Sequence, residues 1–448
     1  MTECNSINFS NQQLSRLILP LIVEQCLAVT VGLADSIMVA SVGEAAVSAV
    51  SLVDSVNTLL FYGFSALATG GAVVCGQFLG RRDYKKANDS AQQLIVFILL
   101  LAAGVTALLY LFKYFILHGL FGNIEEDVMG HANTYFIIVE ASIPFIALYN
   151  AGAALFRVMG NSSVSMRISL GMNLINVCGN AVLIFVVHMG VEGVAIPTLV
   201  SRIVGAIVVL WMLRKETYSI HIEKPFQYKF DKYTVQNILK IGVPSGLESS
   251  LFHLGKILLL SVVSAFGTAS IAANAIGNTL ATFQTLPPSA IGVGMITVIS
   301  QCIGAGDIKG ARFYTRKLMK WAYLSMLAIN VIIFLAMPLI LDLYQVSEEA
   351  SHMARILLWL HGGIGVLLWP LAFTLPQTLK AAGDTTYVML MAVGSMWVFR
   401  IVTGIFFAKT LGLGVLGIWL AMFIDWICRI LFIVIRYRGH KWEEKYVR

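Results

Sequence analysis

The sequence predicts an all-α polytopic membrane protein: twelve transmembrane helices in two pseudo-symmetric six-helix lobes around a central cleft. Three observations predict it: an apolar composition, a regular alternation of basic loops, and an internal repeat. Of 448 residues, 58% are hydrophobic and 12% charged, about half the charge of an ordinary soluble protein. That composition excludes a soluble enzyme on one anchor, a disordered chain and a secreted disulfide scaffold. At about 20 residues per bilayer crossing, the apolar content suffices for about a dozen spans and leaves little for a soluble domain.

Apolar runs recur near 17–41, 49–76, 91–117, 131–156, 166–187, 191–213, 236–263, 270–300, 318–342, 353–378, 386–408 and 414–436. Basic residues sort onto alternate connections. Arg81, Arg82, Lys85 and Lys86 follow the second span, and Arg157 and Arg167 flank the turn after the fourth. Arg214, Lys215, Lys224, Lys229, Lys232 and Lys240 fill the middle link. Lys309, Arg312, Arg316, Lys317 and Lys320 follow the eighth span, Lys380 the tenth, and Arg436, Arg438, Lys441, Lys445 and Arg448 the last. The opposite connections hold only Lys113, Arg355 and Lys409. The positive-inside rule makes the basic set cytoplasmic, and the even span count puts both termini there, in a bacterial inner membrane. The net charge of +7 is thereby explained without nucleic acid. The expected organisation is a tail over 1–16, an N-lobe over 17–213, a linker over 214–235, a C-lobe over 236–436 and a tail over 437–448. Met1 to Arg16 carries no basic n-region or cleavage site, so the first apolar run is expected to be retained as a span. Cys4, Cys26, Cys75, Cys178, Cys302 and Cys428 have no metal-ligand or disulfide spacing and read as small buried hydrophobes.

The second half repeats the first at an offset of 224 residues. Gln77, Gly80, Asp83, Lys85 and Ala87 match Gln301, Gly304, Asp307, Lys309 and Ala311. Pro20 and Glu24 match Pro244 and Glu248, Gly43 matches Gly267, Gly70 matches Gly294, and Gly190 with Gly193 matches Gly414 with Gly417. Arg157 and Gly160 match Lys380 and Gly383 after a one-residue slip. Six spans per half give the halves the same orientation, related by an axis along the membrane normal, a usual build for an alternating-access transporter.

These residues resemble the multidrug and toxic compound extrusion (MATE) exporters. Leu19-Pro20 through Asp35-Ser36-Ile37-Met38-Val39 to Gly43 is similar to that family's opening helix. The two Gln-x-x-Gly-x-x-Asp blocks are similar to its paired inner loops. Asn176 to Asn180 and Gly190-Val191-Glu192-Gly193 are similar to its fifth and sixth helices. The resemblance spans nearly the whole chain and implies twelve helices in two lobes, exporting organic cations against inward sodium or proton movement. Asparagine at Asn180 matches the bacterial, NorM-type pattern, whereas other members carry aspartate there. The tenth-helix carboxylate of some NorM-type members has no counterpart, since Trp369, Pro370 and Leu371 occupy that region.

A charge at mid-bilayer costs at least about 2.5–3.5 kcal/mol, so those present need water or a partner. They are Glu24, Asp35, Asp54, Glu140, Arg202, Glu248, Lys256, Arg400, Asp425 and Arg429. Asp35 is the foremost candidate, about 28 Å beyond Arg16 along a helix. Asn176 and Asn180 share one helical face and reach nearly the same depth. Three readings stand: their carbonyls complete an oxygen site for Na+, they hydrogen-bond a protonatable aspartate, or the group is a structural polar cluster. Glu248, just past Pro244, is the expected cation- or proton-binding carboxylate of the second lobe. Lys256, two turns on, is either a mobile counter-charge or a snorkelling side chain. Glu24 gates the inner mouth or lines the cavity, and Asp54, Glu140 and Tyr149 are weaker cavity candidates. Arg400 with Asp425 or Arg429 reads as a structural pair, and Arg202 as structural. Phe61, Tyr62, Phe64, Phe252, Phe283 and Trp369 are further candidates to accept a cation by cation–π attraction. Pro287-Pro288, Pro370 and Pro376 are expected to break long helices.

The expectation is a secondary antiporter, functional as a monomer, with no cofactor beyond the coupling ion. No Gly-x-x-x-x-Gly-Lys-[Ser/Thr] loop supports nucleotide hydrolysis. The alternatives are a major-facilitator exporter, which lacks the Gln-x-x-Gly-x-x-Asp repeats, and a lipid-linked oligosaccharide flippase. An intramembrane transferase or protease has no motif here, and a channel has no ring of filter loops.

Overall fold

A computed structural model describes residues 7–120, 122, 124–222 and 228–444. Cys4, Lys224, Pro225, Lys445 and Arg448 therefore lie outside the described residues, as do the ends of both expected tails. The described residues are helical in thirteen long segments: α1 Asn11–Ala40, α2 Glu44–Gly80, α3 Tyr84–Leu111, α4 Glu126–Glu140, α5 Ile143–Val158, α6 Ser162–Val186, α7 Glu192–Leu213, α8 Lys232–Phe266, α9 Thr268–Gly304, α10 Ile308–Leu343, α11 Glu348–Ala381, α12 Thr385–Thr410 and α13 Gly414–Arg438. Eleven are individually long and apolar enough to cross a membrane. The helices α4 and α5 form the twelfth span, bent by 44°. The chain is thus a multi-pass membrane protein of twelve spans.

The break in that span has a local cause. Pro144 sits in the first turn of α5, where its missing N–H costs nothing, but it cannot continue α4. Ser142 caps the break by donating its hydroxyl to Val139 O at 2.5 Å. Pro287 and Pro288, by contrast, lie inside the uninterrupted α9, which corrects the expectation of a break there. Pro370 opens a π-helical turn, Pro370–Thr374, within α11.

Two compact units divide the chain, Ser10–Gly246 and Leu247–Arg448, the second including the N-terminal segment that ends at Phe9. The boundary falls inside α8, two residues after Pro244. Within each unit the repeat is visible as the same joint. Asp83 caps α3 by accepting from Lys86 N at 3.1 Å, and Asp307 caps α10 by accepting from Gly310 N at 2.7 Å. One residue earlier both turns need a left-handed backbone, supplied by Arg82 (φ 61°) and Gly306 (φ 74°). The Gln-x-x-Gly-x-x-Asp block is therefore a helix-end, turn and helix-start in one sequence. Gly43 (φ 138°) and Gly267 (φ 90°) precede α2 and α9 in conformations that favour glycine.

Candidate functional site

In the N-terminal unit, α6 is drawn against α7 because Gly179 has no side chain: a Cβ there would stand 2.7 Å from Pro197. That approach brings Asn176 and Asn180 beside Thr198 and, on α1, Asp35. Asn180 is fully buried and Asn176 nearly so, while Asp35 is half-buried. The Asn180 amide donates to Asp35 Oδ1 at 2.9 Å. The Asn176 orientation that satisfies both ends of its amide donates to Asp35 Oδ1 and Oδ2 at 2.9 and 3.1 Å and accepts from Thr198 Oγ1 at 3.0 Å. Thr198 missed recognition as a candidate because its hydroxyl looks like ordinary helix polarity. Its single O–H has two acceptors in reach, Val194 O at 2.9 Å and the Asn176 carbonyl oxygen, and serves one of them at a time.

The juxtaposition expected of Asp35, Asn176 and Asn180 is present, but its chemistry differs from an oxygen cage. Amide nitrogens, not carbonyls, face the carboxylate, as a charged acceptor requires. Asn180 Oδ1 is buried with no hydrogen-bond partner among the described residues. Rotating that amide exchanges donor for acceptor, so the same side chain serves an ionised carboxylate or, turned over, a carboxylic acid O–H or a cation. Among the described residues no group of three or more His, Cys, Asp or Glu is arranged to hold a metal ion.

The neighbouring acids divide by partner. Asp54 is exposed and accepts from Tyr135 OH at 3.2 Å. Glu140 is fully buried, and neither of its carboxyl oxygens has a hydrogen-bond partner among the described residues. Arg202 donates to Ser142 Oγ at 2.7 Å and so braces the α4–α5 break, in line with a structural role.

Glu24, the expected gate or cavity acid, is held by three neighbours. It accepts from Arg157 and Tyr149 at 3.4 Å each and from Ser165 at 3.0 Å. Tyr149, expected as a cavity candidate, is a buried ring whose hydroxyl holds Glu24. Glu248, expected as a titrating carboxylate, has its counter-charge in place: Lys380 Nζ lies 2.8 Å from its Oε2. Lys256 is not that partner. The two ion pairs, Glu24–Arg157 and Glu248–Lys380, join residues that match one another in the repeat. Each end of each pair is visible in the sequence, but the pairing itself, across more than 130 residues, is not.

In the C-terminal unit a cavity of about 680 Å³ is lined by Phe252, Lys256, Trp369, Phe373, Arg400 and Trp426, among others. Phe252 and Trp369 do line a cavity, as expected, whereas Phe64 is buried packing. Arg400 lies in a π-helical turn of α12, Ser395–Ile401, 3.9 Å from Asp425, which Arg429 approaches to 3.8 Å. This confirms the expected ion grouping between the last two helices.

The family model MatE matches this chain twice, over residues 20–182 and 244–406, the same repeat offset read from the sequence. Among curated proteins, the uncharacterized transporter YisQ of Bacillus subtilis (strain 168) is 26% identical over 95% of this chain and 94% of its own. A probable multidrug resistance protein NorM of Thermotoga maritima is 24% identical over 97% of this chain and 94% of its own. Among solved structures, a multidrug resistance MATE family transporter of the MOP superfamily in its outward-facing conformation superposes with a TM-score of 0.90. It shares 19% identity and covers 96% of each chain.

Proposed function

The chain belongs to the MatE family of efflux transporters, and on that premise we propose that it is a multidrug exporter coupled to inward Na+ or H+ movement. It works as a monomer in the bacterial inner membrane with both termini cytoplasmic, and exchanges the ion for amphipathic organic cations by alternating access. The observation that carries the coupling reading is the Asp35 carboxylate held between the Asn176 and Asn180 amides, with the buried acceptor Asn180 Oδ1, which has no partner among the described residues, beside it. Inside a membrane such a group persists when its charge has work to do. The arriving ion neutralises Asp35, the Asn180 amide turns to meet it, and the loss of negative charge favours release of a cation held nearby, with Asp54 and Glu140 adding to the acidic surroundings. Glu248 enters this cycle as one half of an ion pair that opens and closes. Its proximity to Lys380 supports that role over free titration.

The test is dye efflux from proteoliposomes carrying a Na+ gradient or a pH gradient separately. Wild type is expected to respond to one gradient, and Asp35→Asn to lose that response while retaining the wild-type fold. Efflux by Asp35→Asn equal to wild type refutes the site. Efflux by wild type indifferent to both gradients refutes antiport.

A further inference from the structure

We infer that the C-terminal cavity is a binding site for an aromatic or amphipathic anion, a carboxylate or sulfonate on a flat apolar body. This goes beyond the coupling reading, and it sets the polarity of the second half opposite to that of the first. The cavity volume of about 680 Å³ falls in the range of small-molecule sites, about 300–1,000 Å³. No Asp or Glu is among its described lining residues, and the charged ones are Lys256 and Arg400.

Three observations select an anion. First, the charge does not cancel locally: among the described residues, Asp425, buried outside the lining, is the single carboxylate paired with Arg400 and Arg429, and Lys256 has no ion-pair carboxylate. Second, the unpartnered buried atoms of the wall are donors. Arg400 Nε and Trp426 Nε1 have no acceptor among the described residues, with Arg400 8% and Trp426 2% exposed. A buried N–H without an acceptor is costly, and an incoming anionic oxygen supplies one. Third, the aromatic surface that a cation would need is engaged. Lys256, Arg400 and Arg429 stand 5.9, 5.7 and 5.6 Å from the centre of the Phe252 ring, and Arg429 stands 4.7 Å from that of Phe373. A fourth cation there meets like charge, whereas a flat anion packs its apolar body against Trp369 and places its charged end toward Lys256, Arg400 and the edge of Trp426.

The repeat shows how the site diverged. At the 224-residue offset, Asp35 corresponds to Leu259 and Asp54 to Asn278, and both Leu259 and Asn278 line the cavity. The second half has thus lost both acids at the matched positions and gained the ammonium of Lys256 one turn from Leu259.

The experiment uses the full chain in uncharged detergent with no ion gradient, so that the result does not depend on whether Asp35 couples. Calorimetry compares 2-naphthoate with (2-naphthyl)trimethylammonium, which share a ring and differ in charge. Wild type is expected to bind the naphthoate at least about tenfold more tightly, and Lys256→Gln to reduce that affinity by about tenfold. Asn278→Asp, which restores an acid at the matched position, is expected to have a similar effect. Both substituted positions are exposed, so folding is not at stake, and elution volume checks it. The inference is overturned if the cation binds as tightly as the anion, or if naphthoate affinity is unchanged in Lys256→Gln.

Discussion

Removing Lys380 tests whether the Glu248 pair is structural or the coupling group itself. At 2.8 Å and an effective dielectric constant of 20, the gross attraction of the pair is about 6 kcal/mol. Desolvation consumes much of this, since the side chains are only 11% and 15% exposed, and removing one partner of such a pair typically costs about 3–5 kcal/mol. Lys380→Met strands a carboxylate in an apolar setting and is expected to destabilise the protein by about 3 kcal/mol. Glu248→Gln strands an ammonium and should cost a similar amount. The double variant leaves no charge uncompensated, so it should return to within about 1 kcal/mol of wild type, which makes the coupling about 5 kcal/mol. Unfolding at equilibrium in mixed micelles, with rising fractions of sodium dodecyl sulfate, measures all four states. Additive single effects below about 1 kcal/mol each would refute the reasoning, since they mean that the pair is solvated. Transport assayed on the same proteins separates the roles: a restored double variant that still exports dye leaves Glu248 no indispensable part in ion coupling.

Two further outcomes follow from groups away from the candidate site. Asp231 accepts from Thr234 Oγ1 at 2.5 Å and from the Tyr233 and Thr234 amides at the start of α8, and the Thr234 hydroxyl foremost holds its carboxyl below the usual range. Its folded pKa being depressed, its contribution is complete above the ordinary carboxylate range and lost as pH falls through the folded value. Asp231→Ala should therefore cost about 1 kcal/mol at neutral pH, and a stability gap that widens on acidification would contradict this. Ala at Gly43 or Gly267 meets no atom within 4 Å but must adopt φ 138° or 90°, so each should cost about 1–3 kcal/mol. Gly104→Ala, equally unobstructed but inside helix α3, should stabilise by up to about 1 kcal/mol, and equal effects at all three positions would remove the backbone explanation.

What could be read from the sequence follows the physics of each feature. Spans are legible because the bilayer demands about 20 apolar residues together. The repeat is legible because turns impose local requirements: Asp83 and Asp307 must cap, and Gly43 and Gly267 must tolerate positive φ. The juxtaposition of Asp35 with Asn176 and Asn180 was within reach because helical spacing and a shared starting depth constrain it. The direction of the amides was not, because oxygen and nitrogen ends are equivalent in a sequence. Nor was the partner of Glu248, since the pairing with Lys380 depends on how α8 packs on α11. Pro144 stands at the α4–α5 bend, whereas Pro287 and Pro288 gave no break. Proline removes one donor wherever it stands, but whether a helix bends there depends on the packing around it.

The two halves retain and lose different things, and the difference bears on mechanism. Retained are the proline, the acid and the basic partner of each ion pair, together with both helix joints. Those features fix where helices end and how they cross, so changing one alone strands a charge or strains a turn. Asp35 and Asp54 in the first half give way to Leu259 and Asn278 in the second, positions whose side chains meet a cavity and not a complementary charge. A cavity position is not tied to a partner in this way, so it can change sign while the scaffold persists. On the two readings proposed above, the halves carry sites free to specialise separately. The acidic one, with its amide pair, suits a cation that must be taken up and released. The basic one, walled by Trp369, Phe373 and Trp426, suits a ligand that brings its own negative charge.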